Sequence, residues 1–142
     1  MASIRREVSI QASPEHVWEA IRDVNAVHRR LAPGFVLDVR PDGDVRIVTF
    51  ASGAVVRELI VDVDDQARRI AYAVVDSPMQ LTHHHATMEV LREGADASRI
   101  VWIADVFPNA AAGQVGSMME QGSHVMKQSL ERTAPRPEPL RA

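Results

Sequence analysis

The sequence contains no cysteine, few aromatic residues and no long apolar segment. Because cysteine is absent from all 142 residues, disulfides, thiolate metal sites and a cysteine nucleophile are excluded. No stretch approaches the ~18 apolar residues that a membrane-spanning helix requires. The segment after Arg5 and Arg6 also lacks the apolar core of a signal peptide. We therefore expect a cytoplasmic protein without stable membrane anchoring.

Neither sign of charge predominates in the chain. The net charge is −3, and acidic and basic residues are interspersed throughout, so no basic surface for nucleic acid is predicted. The sequence also lacks a phosphate-binding glycine loop, a Gly-x-Ser-x-Gly elbow and a zinc-protease His-Glu-x-x-His motif. These absences predict neither a nucleic-acid partner nor a cofactor.

Short strands dominate what the sequence does contain. Residues 3–11 alternate between apolar and polar side chains, which is the period of a strand. Further apolar runs follow at regular spacing, separated by turn residues such as those at 41–44 and 51–53. Tight turns between evenly spaced strands favour an antiparallel meander. The predicted strands are 3–11, 35–40, 45–50, 55–63, 70–75, 81–91 and 99–107.

Two short helices and one long helix complete the pattern. Ser13 can cap a first short helix with Pro14 at its first position, and a second short helix is predicted at 25–31. Apolar residues at three- and four-residue spacing predict a long amphipathic helix over 111–133. Prolines prevent its continuation, so the tail at 134–142 is expected to be disordered.

This order of elements predicts an α+β fold in a single domain over residues 1–133. A curved seven-stranded antiparallel sheet has one face that must be covered, and only the long helix is large enough to cover it. The two short helices can close one end without filling the concave side. The space that remains is a cavity of the kind that holds apolar ligands.

Five segments, taken in order together with the closing helix, resemble a known family. They are residues 10–18 (IQASPEHVW), 57–59 (REL, with DD at 64–65), 69–72 (RIAY), 86–90 (ATMEV) and 98–102 (SRIVW). They are similar to the START/Bet v 1-like superfamily (SRPBCC), and in detail to bacterial polyketide cyclase/dehydrase and lipid-transport proteins. The resemblance implies the helix-grip fold. It leaves function open, because carriers, hormone receptors and cyclases share this scaffold.

The run His83-His84-His85 is the most unusual feature of the sequence. On a strand, His84 shares a face with Ala86 and Met88, while His83 and His85 point the other way. Since the apolar face should line the cavity, His84 is a candidate ligand contact or general acid–base group. The alternative is a buried neutral histidine with a neighbouring partner. His83 and His85 are expected to face solvent, and no metal site is predicted.

Glu58 lies on a strand whose two faces lead to conflicting predictions. The odd-numbered residues of 55–63 are the more apolar set, which would direct Arg57 toward the cavity. The resemblance implies the opposite, because related proteins often carry a glutamate here that reaches the ligand. We expect Glu58 to point inward, where burial would suit a carboxylate to proton transfer. The alternative is a surface ion pair.

The other candidate cavity residues combine apolar bulk with adaptability. Two of these residues are aromatic and carry a polar group on a large apolar side chain, and the others lie on the inward face of a strand or on the long helix. Each of them could contact a ligand or belong to the ordinary core. A glycine in the middle of a helix is explained by close approach of the sheet or by room for a ligand. These residues are Tyr72, Met88, Trp102, Met118, Gly122 and Met126.

Binding of a small hydrophobic molecule is the function that requires the fewest assumptions. A polyketide-, lipid- or sterol-like ligand would fit such a cavity. The alternative is a cyclase or dehydratase, in which His84 and Glu58 move protons on a bound carbonyl compound. A third interpretation is an interaction protein with a filled cavity. Homodimers are common among such domains, although no surface feature here predicts one.

Overall fold

Tight turns separate the strands of this chain. Gly43 has φ 63° between two strands and Gly53 has φ 92° between the next two, a conformation that other side chains rarely adopt. The computed structural model describes residues 1–135. The two α-helices are α1 (Pro14–Arg22) and α2 (Ala112–Thr133), with a π-helical turn at Val27–Leu31 and a 3-10 turn at Asn109–Ala111. The strands are β1 (Ala2–Ile10), β2 (Val36–Asp42), β3 (Val45–Phe50), β4 (Val55–Asp64), β5 (Arg69–Asp76), β6 (His83–Gly94) and β7 (Ala97–Phe107).

The seven strands form one antiparallel sheet in the order β1-β7-β6-β5-β4-β3-β2. Strands β2 to β7 pair with their neighbours in sequence, and β1 joins the free side of β7, so β1 and β2 are the edges. The pairing register shifts within the pairs β2–β3 and β4–β5, and bulges of this kind bend a sheet. The predicted α+β fold, with a seven-stranded antiparallel sheet and a long C-terminal helix, is confirmed.

Helix α2 packs against the sheet along one side. Its buried residues recur at three- and four-residue spacing and include Met119, Met126 and Leu130. At 1.5 Å per residue the helix is about 33 Å long, enough to cross the sheet. On β1, the Arg6 Nε lies 2.9 Å from Glu120 Oε2 of the helix. An apolar face and a peripheral ion pair together hold α2 in position.

Helix α1 closes one end of the sheet. The Ser13 hydroxyl accepts a hydrogen bond from the backbone N–H of His16 at 3.1 Å, and Pro14 occupies the first turn. This is the capping arrangement that the sequence predicts. The His16 Nε2 also lies 3.1 Å from the Leu130 carbonyl oxygen and 3.1 Å from Thr133 Oγ1. The start of α1 is therefore tied to the end of α2.

Helix α2 ends at Thr133, where the predicted domain also ends. The assignment of residues 1–133 to a single ligand-binding domain stays a prediction. The disordered tail predicted for 134–142 falls mainly on residues 136–142, which lie outside the described residues. Within residues 1–135, no helix is both long enough and apolar enough to cross a membrane.

The structure of β4 contradicts the prediction that its odd-numbered, more apolar residues face the cavity. Val55 and Val61 are half exposed, at 50% and 51%, whereas Glu58 is 7% exposed and points inward. The register shifts between Ile60 and Asp62, which breaks the alternation. Valine is favoured in strands by its shape even on an exposed face, so its enrichment here reflects strand propensity rather than burial. The inward direction of Arg57 implied by that face is therefore wrong, and Arg57 pairs with Asp42 at the surface.

Candidate functional site

The sheet and α2 border two cavities, each partly open to solvent, and we call the larger one the outer chamber and the smaller one the inner chamber. The outer chamber has a volume of about 430 Å³ and the inner chamber about 60 Å³. The outer chamber lies near the β3–β4 turn, the β5–β6 loop and the first half of α2. Five side chains line both cavities, and we call this shared set the partition: Phe35, Phe50, Glu58, Tyr72 and Trp102.

A buried ion pair lies at the partition. Arg46 on β3 and Glu58 on β4 are directly opposite in the strand register. The Arg46 Nε donates to Glu58 Oε1 at 2.8 Å, and Arg46 Nη1 donates to the Val24 carbonyl oxygen at 3.0 Å. The two residues are only 5% and 7% exposed. A buried charge needs such a partner, so each residue depends on the other.

Tyr72 and Trp102 form the aromatic part of the partition. The Trp102 Nε1–H donates to the Tyr72 hydroxyl oxygen at 3.1 Å. The Arg46 guanidinium lies 5.1 Å from the centre of the Tyr72 ring, within cation–π range. Burial, with the nearby charge of Glu58, raises the pKa of the Tyr72 hydroxyl. Tyr72 therefore keeps its proton and can donate a hydrogen bond.

His84 lines the outer chamber, on the face that the sequence predicts. Its ring centre lies 6.3 Å from that of Tyr72. Within residues 1–135, its buried Nδ1 has no hydrogen-bond partner. Loss of hydration on burial lowers the pKa of His84, although the negative charge of Glu58 opposes this shift. His84 is therefore a neutral, unpartnered polar group in an apolar wall.

The neighbouring histidines are not part of the cavity lining. His83 is exposed and His85 half-buried. Among the described residues, no group of three or more histidine, aspartate or glutamate side chains is placed to hold a metal ion. Because side chains alternate between the two faces of β6, His84 points toward the cavity and His83 and His85 point to the opposite face.

The remaining candidates are divided between the two chambers. Met118 lines the outer chamber, whereas Met88, Gly122 and Met126 line the inner one. A Cβ at Gly122 would lie 3.2 Å from both Phe35 Cε1 and Trp102 Cζ3. Of the two explanations for Gly122, the contacts support close approach, because the side chains of Phe35 and Trp102 pack directly against this position. Ligand contact by these residues stays a prediction.

Arg46 is the site residue that the sequence interpretation missed. It alternates with Val48 on the inward face of β3, and Val48 pairs with Val56 across the hairpin. Counting back from the turn at 51–53 would have placed Arg46 opposite Glu58. Phe35 and Phe50, which pack edge to face at 5.5 Å, were also missed. Their positions at strand ends gave no indication that they would separate two cavities.

The pH dependence of stability tests the neutral state of His84. Because the folded-state pKa is lowered, the unfolded chain binds more protons in mildly acidic solution. This contribution to stability is complete above the unfolded pKa of about 6.5 and is lost as pH falls toward the folded-state value. We expect His84→Gln to reduce proton uptake on unfolding by up to about one proton. Urea unfolding of the wild type and of His84→Gln between about pH 8 and about pH 5 measures how the free energy of unfolding depends on pH. Identical pH profiles would contradict the assignment.

The sheet, the long helix and the internal cavity together define a helix-grip protein. The chain belongs to the family described as polyketide cyclase / dehydrase and lipid transport, whose model matches residues 1–137. The family is the one that the sequence resembles, so the recognition is confirmed. The family description covers both ligand transport and cyclase-type activity. A comparison with curated proteins finds no match.

Solved structures show the same fold at low identity. An uncharacterised Bacillus thuringiensis protein has a TM-score of 0.82 at 18% identity, covering 91% of this chain and 98% of its own. A START superfamily protein from Mycobacterium smegmatis has a TM-score of 0.68 at 12% identity, covering 92% and 94%. The Zhui aromatase/cyclase from Streptomyces has a TM-score of 0.70 at 16% identity, covering 92% of each chain. These likenesses establish the fold alone.

Proposed function

We propose that this protein binds a small apolar molecule in the outer chamber. The observation that supports the proposal most directly is the chamber itself, whose volume of about 430 Å³ lies within the range of small-molecule sites. Its wall is mainly apolar, with a few polar groups that converge from neighbouring strands. Such a wall provides affinity through burial and orientation through hydrogen bonds.

The polar groups are held in place by the fold rather than by a ligand. Glu58 is fixed by Arg46, and the Tyr72 hydroxyl is fixed by Trp102. His84 is the exception, since its Nδ1 has no partner among the described residues. An unpaired buried polar group costs free energy, and a ligand that reached this nitrogen through a small rotation of the ring would recover it. We infer that the bound molecule contacts His84.

Filling the outer chamber should abolish binding. Val74 lines the chamber, and Val75, the next residue of β5, is 55% exposed on the opposite face. We expect Val74→Trp to weaken binding of the neutral probe N-phenyl-1-naphthylamine by at least about tenfold. Val75→Trp, the matched control, should bind the probe like the wild type. Fluorescence titration of the three folded proteins measures this. Equal affinity in all three would place the probe outside the chamber and refute the proposal.

A cyclase or dehydratase is the second candidate function. It is favoured by His84, whose side chain lines the cavity and whose lowered pKa keeps the imidazole neutral, as a general base requires. Glu58 fits the role less well, because Arg46 neutralises its charge and holds one of its oxygens. Native mass spectrometry with solvent extraction separates the two functions. A linear poly-β-keto thioester recovered unchanged supports binding alone, whereas loss of water or ring closure that disappears in His84→Gln supports the enzyme.

A further inference from the structure

We propose that the outer chamber selects neutral molecules that donate a hydroxyl hydrogen bond, and that it rejects carboxylates and other anions. This inference rests on the proposed function, because it names the chemical class of the ligand held in that chamber. It follows from the charges and hydrogen-bonding groups that reach the chamber.

Glu58 brings a negatively charged carboxylate to the wall of the outer chamber. Of the described residues that line this chamber, Glu58 is the one carboxylate, and none is a lysine or an arginine. The other polar side chains that line it are serines, glutamines, Tyr72, Trp102 and His84. An anion that entered would therefore meet a carboxylate and no cation. Although Arg46 balances the charge of Glu58, the pair presents its negative end to this chamber, so an anion would lose hydration there and face a nearby carboxylate.

Arg46 cannot serve as the missing cation. It lines the inner chamber and not the outer one, so it lies behind Glu58 as seen from the larger cavity. Its Nε is bound to Glu58 and its Nη1 to the Val24 carbonyl oxygen. The inner chamber, at about 60 Å³, has room for no more than a few water-sized groups. An anionic ligand held in the outer chamber would therefore not contact Arg46, which lines only the inner one.

The hydrogen-bonding groups favour a hydroxyl. Glu58 accepts hydrogen bonds and cannot donate them while ionised. The Tyr72 oxygen already accepts from Trp102, which leaves its O–H proton for a ligand acceptor. His84 Nδ1 lacks a partner in the described part of the chain. A ligand hydroxyl can donate to Glu58 and accept from Tyr72, whereas an ether or a ketone can only accept.

Displacement of the bound probe by three matched naphthalenes tests the selectivity. The competitors are 2-naphthol, 2-methoxynaphthalene and 2-naphthoate, which differ in whether the substituent donates a hydrogen bond, only accepts one, or carries a negative charge. Each is titrated against N-phenyl-1-naphthylamine bound to the full chain at neutral pH. We expect 2-naphthol to displace the probe at a concentration at least about tenfold lower than 2-naphthoate requires, with 2-methoxynaphthalene between them.

Two variants assign the selectivity to Glu58. Glu58→Gln keeps the shape of the side chain and removes its charge, so we expect the preference for 2-naphthol over 2-naphthoate to fall at least about tenfold. If the unpaired Arg46 prevents this variant from folding, the double variant Arg46→Met/Glu58→Met removes both charges and should show the same loss of preference. Glu19→Gln is the matched control, because it removes one negative charge from an exposed residue of α1 that lines neither chamber.

The outcomes distinguish the selectivity from the proposed function. If the probe does not bind to the chamber, the proposed function fails. If the probe binds but 2-naphthoate competes as well as 2-naphthol, binding stands and the selectivity is wrong. An unchanged preference in both Glu58 variants would also overturn the proposal. Loss of the preference in those variants, with its retention in Glu19→Gln, supports it.

Discussion

Replacing Arg46 with methionine is expected to lower the free energy of unfolding by about 3 to 5 kcal/mol. The variant leaves the Glu58 carboxylate buried without its counter-ion, and the Val24 carbonyl oxygen loses its donor. Methionine fills much of the vacated volume, so the loss is chiefly electrostatic rather than a cavity effect. Domains of this size have unfolding free energies of about 5 to 15 kcal/mol, so the change would remove a large part of the stability.

Urea unfolding of two further variants tests whether the unpaired buried charge causes the loss of stability in Arg46→Met. Arg57, the residue before Glu58, forms an exposed ion pair with Asp42 at 2.7 Å. Arg57→Met should cost at most about 1 kcal/mol, because water screens that pair. The double variant Arg46→Met/Glu58→Met should regain most of the loss, since no charge remains buried. If Arg46→Met is as mild as Arg57→Met, the ion pair does not stabilise the partition.

The second large effect is expected for Met126→Ala, which should lower the free energy of unfolding by about 2 to 5 kcal/mol. Met126 is 2% exposed and lines the inner chamber. Its removal enlarges a cavity that the surrounding strands and α2 cannot close, so both the burial and the packing contacts of the side chain are lost.

Met118 provides the matched comparison on the same helix. It is half-buried and lines the outer chamber, which is already open space. Met118→Ala should cost less than about 1 kcal/mol in unfolding free energy, because few packing contacts disappear. It should instead change the affinity for N-phenyl-1-naphthylamine. Equal destabilisation by the two truncations would show that both methionines are ordinary core, and would weaken the assignment of the outer chamber to a ligand.

Much of the fold could be predicted because its signals are local. Period-two alternation identified residues 3–11, and glycines in tight turns separated the strands that follow. The closing helix was predicted to within one residue of α2, because its apolar spacing continues for six turns. Each of these signals depends on neighbours within a few residues, which a single sequence contains.

The candidate site could be predicted only in part. His84 was placed on the cavity face from the parity of β6, whose alternation is regular. On β4 the same reasoning failed, because exposed valines outnumber the inward residues and a bulge interrupts the alternation. The inward direction of Glu58 came from the family resemblance, and its partner Arg46 was not identified. A pair formed across two strands depends on register, which the composition of either strand does not determine.

The sequence by itself determined the order and type of the elements, the antiparallel meander and the family, since these depend on local periodicity and turn chemistry. Only the tertiary structure decided which side chains line the two chambers and which of them line both. The partition forms because Phe35 and Trp102 approach α2 at Gly122 while Arg46 and Glu58 meet across β3 and β4. Those contacts join residues that are distant along the chain, and only the packing of the sheet against the helix brings them together.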